Sequence, residues 1–145
     1  MFKLLIGNAD DIQNIIDKYP YTAQVINYNG NLFVAKNENE EIIGFLWSFC
    51  RDIPAPIGNV KEEFINAVEV FDSNERCKGI GSLLVQECIK KAKNDKVYQV
   101  RAYCDINNIA SHKLWVKNNF GISPVKERNG EICGSFVTFV INTEK

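Results

Sequence analysis

Histidine and methionine occur once each in this chain of 145 residues, and proline four times. The lone histidine, His112, gives no basis for a His-based metal site or a triad. Cys50, Cys77, Cys88, Cys104 and Cys133 are odd in number, and no two stand as C-x-x-C. That argues against a disulfide framework and against zinc. Neither sign of charge is in excess: 17 Lys and Arg face 18 Asp and Glu, a net of −1. A nucleic-acid binder would carry a basic surplus, so no nucleic acid is expected among the partners. Every apolar run falls far short of the ~20 residues of a membrane helix. Met1 to Gly7 also lacks the apolar stretch and cleavage site of a signal peptide. A cytoplasmic protein with no membrane contact and no metal is expected. The length fits one domain of roughly 150 residues, so residues 1–145 are read as a single domain.

What is present is a mixed series of short elements. Phe2 to Ile6 reads as a strand, and Asn8 to Asp11 holds an N-cap candidate for a helix over Asp10 to Lys18. Tyr21 to Ile26 is a weaker helix. Leu32 to Ala35 and Ile42 to Phe49 form a hairpin, and Phe64 to Phe71 is another strand. Gly79 to Lys93 has a helical pattern that puts Ile80, Leu83, Leu84, Cys88, Ile89 and Ala92 on one face. Val97 to Cys104 is a strand and Asn107 to Lys117 a helix, with His112 on its outer side. Asn129-Gly130 then joins two β-rich runs, a strong hairpin signal. Pro-rich Ile53 to Gly58 is a loop. The order β-α-α-β-β-β-α-β-α-β-β makes this an α/β (α+β) chain with a mixed, mostly antiparallel sheet.

The stretch from Val68 to Ser82 carries the chemistry. A strand leads through Arg76-Cys77-Lys78-Gly79-Ile80-Gly81 into a helix. Glycines there let backbone N–H groups converge. The helix start adds unsatisfied donors and partial positive charge, and Arg76 and Lys78 add formal charge. Together they suit a phosphate or pyrophosphate. A P-loop fits poorly, since Gly79-Ile80-Gly81-Ser82 does not supply G-x-x-x-x-G-K-[ST]. A Rossmann fingerprint fits poorly too, since Leu84 stands at the third glycine.

Arg76-Cys77-Lys78-Gly79-Ile80-Gly81 resembles the R/Q-x-x-G-x-G/A motif of the GNAT acyltransferase superfamily. Asn108-Ile109-Ala110-Ser111-His112-Lys113-Leu114-Trp115-Val116-Lys117 is similar to its second signature, N-x-x-A/S-x-x-L/F-Y-x-K-x-G-F. The resemblance implies a GNAT-like sheet of about seven strands flanked by about four helices. It implies acetyl-CoA as co-substrate, with its pyrophosphate on Arg76, Cys77, Lys78, Gly79, Ile80, Gly81 and Ser82. The pantetheine arm would run along Val70 and Phe71, in a split near Tyr103 and Cys104. Asn108 would touch the arm, and Lys117 lies near the usual nucleotide contact. The acetyl group would pass to a primary amine by direct attack, a catalysis of positioning with an oxyanion donor from strand backbone.

Two departures stand out. The signature Tyr, often the acid for the departing thiolate, is Trp115 here. An indole N–H donates hydrogen bonds but no proton near neutrality, and a thiol of ordinary pKa ~8.5 leaves with modest help. Trp115 is therefore read as a core aromatic. It also supports an alternative, a non-catalytic acyl-CoA-binding regulatory module of the same fold. The usual Gly-Phe ending is Asn119-Phe120, and Asn is the best non-glycine residue for a left-handed helix end.

For a general base the candidate is Glu69, the one carboxylate within Phe64 to Phe71. A carboxyl half withdrawn from water is a stronger base. The other reading has Glu69 in solvent or paired with a Lys or Arg. Tyr103 is the second catalytic candidate, as an acid or a substrate contact. Activity should rise with pH until base and amine are both deprotonated. The acidic residues Asp52, Glu62 and Glu63 are placed at the pocket to attract a cationic amine. Because the fold uses nearly the whole chain, specificity rests on loops or on a partner subunit, for which a homodimer is the candidate.

Overall fold

The computed structural model describes residues 1–53, 58, 60–71 and 79–141. Seven strands, three α-helices and one 3-10 helix occur among them, in the order read from the sequence. The strands are β1 (Phe2–Ile6), β2 (Asn31–Asn37), β3 (Ile42–Asp52), β4 (Lys61–Val70), β5 (Gln99–Asp105), β6 (Gly121–Lys126) and β7 (Ile132–Val140). The helices are α1 (Ala9–Lys18), α2 (Ile80–Asn94) and α3 (Ile109–Lys117), and Pro20–Gln24 is the 3-10 turn. The strands form one mixed, mostly antiparallel sheet in the order β1-β2-β3-β4-β5-β7-β6. By contacts the chain falls into two compact units, Met1–Phe49 with Ile65–Lys90, and Cys50–Phe64 with Lys91–Lys145.

In the first unit, α1 starts where Asn8 caps it. Asn8 Oδ1 accepts from the Asp11 N–H at 2.9 Å, and Asp11 Oδ2 accepts from the Asn8 N–H at 3.0 Å. Two donors that a helix start leaves orphaned are thereby satisfied. Asp11 is buried and also pairs with Lys36 at 3.1 Å. Asn8→Ala should cost about 1 kcal/mol, read as a lowered midpoint in urea. Ile12 and Ile15 of α1 pack with Ile26, Leu32, Val34, Phe45 and Trp47 into a buried cluster. Each such side chain contributes about 1.5–3 kcal/mol. Ala67 and Phe71 border the same cluster, so the end of β4 is anchored in it.

α2 presents the row Ile80, Leu84, Cys88 and Ala92 to the interior, all at most 1 % exposed. Val85 and Ile89 complete the buried arc, while Leu83 is exposed. The expected Leu83 is thus corrected to Val85, because Leu83 stands just beyond the edge of the i, i+4 row, on the side away from Val85 and Ile89. β3 and β4 meet closely at Gly44. A Cβ there would stand 3.0 Å from the Glu69 carbonyl oxygen and 3.5 Å from Val70 Cα.

In the second unit, β5 pairs antiparallel with β7, with Tyr103 opposite Phe136. Val100, Ala102 and Cys104 alternate inward along β5. The Asn129-Gly130 hairpin forms between β6 and β7, closed by the Glu127 N–H on the Glu131 carbonyl at 2.8 Å. β4 starts at Lys61, earlier than Phe64. Glu62 and Glu63 are therefore buried strand residues rather than pocket acids, and exposed Asp52 is paired with Lys61. Their expected role in drawing a cationic amine is corrected for that reason.

Candidate active site

Arg76, Cys77 and Lys78 lie outside the described residues, as do positions 54–57 of the Pro-rich loop. Gly79 sits at the start of α2 with φ +82°. Its carbonyl accepts the Leu83 N–H at 3.0 Å, so it acts as the helix cap. Among the described residues, nothing lies within 4 Å of where a Cβ would stand at Gly79. The first turn of α2, with Ile80, Gly81 and Ser82, contains no acidic residue. The N–H groups of such a turn have no acceptor within the helix.

At the end of β4, Glu69, Val70 and Phe71 are all half-buried. The Phe71 N–H donates to the Ile43 carbonyl at 2.9 Å. Its ring lies flat on Tyr19, with centroids 3.8 Å apart and planes at 7°. Glu69 is half-buried, and among the described residues it pairs with no Lys or Arg. Its Oε1 accepts a hydrogen bond from the Tyr21 hydroxyl. Sequence reasoning missed Tyr21, because its partner is 48 positions away and nothing local marks the pairing.

The second unit holds the remaining candidates. Tyr103 is 42 % exposed, and its hydroxyl donates to Cys133 Sγ at 3.5 Å. That bond first, then burial and the negative charges of Cys133, Asp105 and Glu127, push its pKa up to about 12. Asn108 caps α3, its Oδ1 accepting the Ser111 N–H at 3.0 Å. Lys117 is exposed at the other end of the helix. It lines a shallow depression of about 410 Å³ with Ile109, His112, Lys113 and Val116.

His112 is half-buried, not on the surface as its helix position suggested. Its Nδ1 lies 3.0 Å from the Asn108 carbonyl and 3.3 Å from Cys104 Sγ. The ring folds back toward the Asn108 carbonyl at the helix start and meets Cys104 of β5.

Trp115 is buried, as a core aromatic should be. Its indole N–H donates to Ser111 Oγ at 2.9 Å, and its ring packs on Phe120 with centroids 4.9 Å apart. Asn119 takes φ +66°, so the left-handed helix end forms without the family's glycine. Among the described residues, no three His, Cys, Asp or Glu side chains cluster as metal ligands. No helix among them is long and apolar enough to cross a membrane.

Comparison with solved structures returns the same fold at low identity. Arabidopsis thaliana NAA60, in complex with a bisubstrate analogue, superposes with a TM-score of 0.74 at 16 % identity, over 98 % of this chain and 99 % of that one. The Escherichia coli ribosomal-protein-S18-alanine N-acetyltransferase gives 0.72 at 12 %, over 100 % and 97 %. A GNAT family acetyltransferase from Elizabethkingia anophelis, with acetyl-CoA bound, gives 0.64 at 22 %, over 97 % and 98 %. No curated protein matches the sequence. A family model does match, over residues 8–122, and its description is Acetyltransferase (GNAT) family. With that match spanning most of its length, the chain belongs to the GNAT family of acetyltransferases.

Proposed function

We propose that this chain moves the acetyl group of acetyl-CoA onto a primary amine, of a small molecule or of a peptide, by direct attack on the thioester. That it is an acetyl-CoA-dependent acetyltransferase follows from its family, and the non-catalytic alternative is set aside on the same ground. The acceptor, the residues, the action of residues 1–145 as one domain and a cytoplasmic location are the proposal. The near-balanced charge supports an acceptor other than nucleic acid. Two structures of the same fold, an N-acetyltransferase and a complex with a bisubstrate analogue, support an amine acceptor.

The observation that carries the reading is Gly79. A left-handed residue opens α2, and no described residue fills the space its missing side chain leaves. An anion can approach the first-turn N–H groups of Ile80, Gly81 and Ser82 through that space. The residues present therefore fit a pyrophosphate, with Arg76, Cys77 and Lys78 completing the loop by resemblance. Val70 and Phe71 would line the pantetheine arm, and Asn108 and Lys117 are assigned to CoA by the motif alone. Bound acetyl-CoA supplies a thioester open to attack by a free amine.

Glu69 is the base in this reading, placed on the strand that ends at Val70. Tyr103 is a substrate contact rather than an acid. A phenol held at about 12 stands well above the ~8.5 of a thiol, so proton transfer to a leaving thiolate runs uphill.

Gly79→Val tests the site. A β-branched side chain at φ +82° is strained and fills the cradle. Calorimetric titration should show acetyl-CoA affinity reduced by about 100-fold or more, with the variant still folded. Affinity within twofold of wild type would remove the assignment. Release of CoA thiol with a panel of primary amines then identifies the acceptor.

A further inference from the structure

We infer that Tyr21 is a positioning residue for the transfer, its hydroxyl fixing the carboxylate of Glu69 beside the reacting amine. The inference rests on the reading of Glu69 as the base. A glutamate side chain has many rotamers to give up when it is fixed, so a half-buried Glu at a strand end is poorly placed unless something holds it. Here one oxygen is held and one is not. Oε1 accepts from the Tyr21 hydroxyl, while Oε2 makes no hydrogen bond among the described residues. The bond is charge-assisted, the stronger kind. It leaves Oε2 as the atom that can take a proton.

Tyr21 is itself anchored from several sides. Pro20, with its fixed φ, opens the 3-10 turn. Thr22 is fully buried, and its Oγ1 donates to the Tyr19 carbonyl at 2.6 Å. At the other end of the turn, Asn66 of β4 donates from Nδ2 to the Val25 carbonyl at 3.0 Å. The segment from Tyr19 to Val25 is thus tied to β4 twice, once by Asn66 and once through Tyr21 to Glu69. The Tyr21 ring meets Tyr19 edge-on, with centroids 6.3 Å apart, and Tyr19 lies flat on Phe71. A displacement of the turn would therefore move both the base and the strand end that bears Phe71.

In the transfer, Glu69 Oε2 takes the proton that the amine nitrogen loses. The nitrogen–carbon bond forms and the carbon–sulfur bond breaks. Sulfur leaves with the electron pair and is protonated from solvent. Tyr21 exchanges no proton in this scheme; it orients the acceptor oxygen.

The test is steady-state kinetics with acetyl-CoA and the best primary amine of the panel, on Tyr21→Phe, Glu69→Gln and the double variant. Glu69→Gln should lower kcat about 100-fold. Tyr21→Phe should lower kcat about 10-fold, with KM for both substrates unchanged. The double variant should match Glu69→Gln, because a hydroxyl that acts through Glu69 has nothing left to orient. Given a slow Glu69→Gln, the role of Tyr21 alone is overturned by wild-type kcat in Tyr21→Phe, or by a double variant slower than Glu69→Gln by the same factor of about 10. A raised KM for the amine at normal kcat also overturns it, by making Tyr21 a binding residue. Full turnover in Glu69→Gln removes the base reading itself, and the inference with it.

Discussion

Glu62→Gln should lower the stability of the fold by about 3 kcal/mol and flatten its response to acid. Glu62 is 1 % exposed. It accepts from Arg51 Nε at 2.6 Å, Gln99 Nε2 at 2.7 Å and Arg101 Nη2 at 3.0 Å. Burial on its own would raise the carboxyl pKa. The hydrogen bonds from Gln99, Arg51 and Arg101, with the charge of Arg101, outweigh it and hold the group below its ordinary 4.5. Removing one partner of a buried ion pair costs about 3–5 kcal/mol. The low end applies here, because the Arg51 and Arg101 side chains are 37 % and 27 % exposed and water compensates part of the loss.

The sign with pH follows from the depressed pKa. The stabilisation is present above the unfolded value near 4.5 and is lost as pH falls through the lower folded value. Calorimetry from pH 7 downward should show the wild type losing melting temperature in acid more steeply than the variant, until the two converge. At pH 7 the gap should be roughly 6–12 °C. Equal acid slopes, or a gap of only about 1 °C, would show that this network does not hold β4.

The same residue marks where the sequence stopped being readable. Lys61, Glu62 and Glu63 look like loop because strands rarely bury carboxylates. The burial of Glu62 depends on Arg51 and Arg101, which arrive from other strands. Pairings between distant positions leave no periodicity, and the Tyr21–Glu69 and Cys104–His112 contacts escaped for that reason too.

Local signals fared differently. Asn8 with Asp11 announced the start of α1, and Asn129-Gly130 announced its hairpin. These are carried by a few adjacent residues and survive any tertiary context. The helical period of α2 gave its element but misplaced one face residue, Leu83, at the edge of the apolar arc. For the site, the motif marks Gly79 as the opening of α2, while the partner of Glu69 lies 48 positions away, where no local pattern marks it.

Trp115→Ala should be the costliest truncation in the second unit, at about 3–5 kcal/mol. Trp115 is 2 % exposed and packs on Phe120, which in turn packs on Phe139 at 5.6 Å. The helix end depends on the same contact. The Phe120 N–H donates to the Trp115 carbonyl and the Asn119 N–H to the Val116 carbonyl, each at 3.0 Å. These two bonds make a Schellman ending, with the Trp115–Phe120 contact as its apolar partner. Truncation removes the ring under Phe120, leaves Ser111 Oγ without its indole donor, and loosens the turn that Asn119 enters at positive φ. Urea denaturation should register the loss as a lower midpoint at unchanged slope. Trp115→Tyr separates packing from chemistry. It restores the family's phenol at a buried position whose polar edge already faces Ser111 on the same helix. Stability should fall by about 1–3 kcal/mol, and kcat should not rise. A gain in kcat would mean that the tryptophan had displaced an acid the reaction needs, whereas no loss of stability in Trp115→Ala would mean that the ring is not what closes α3.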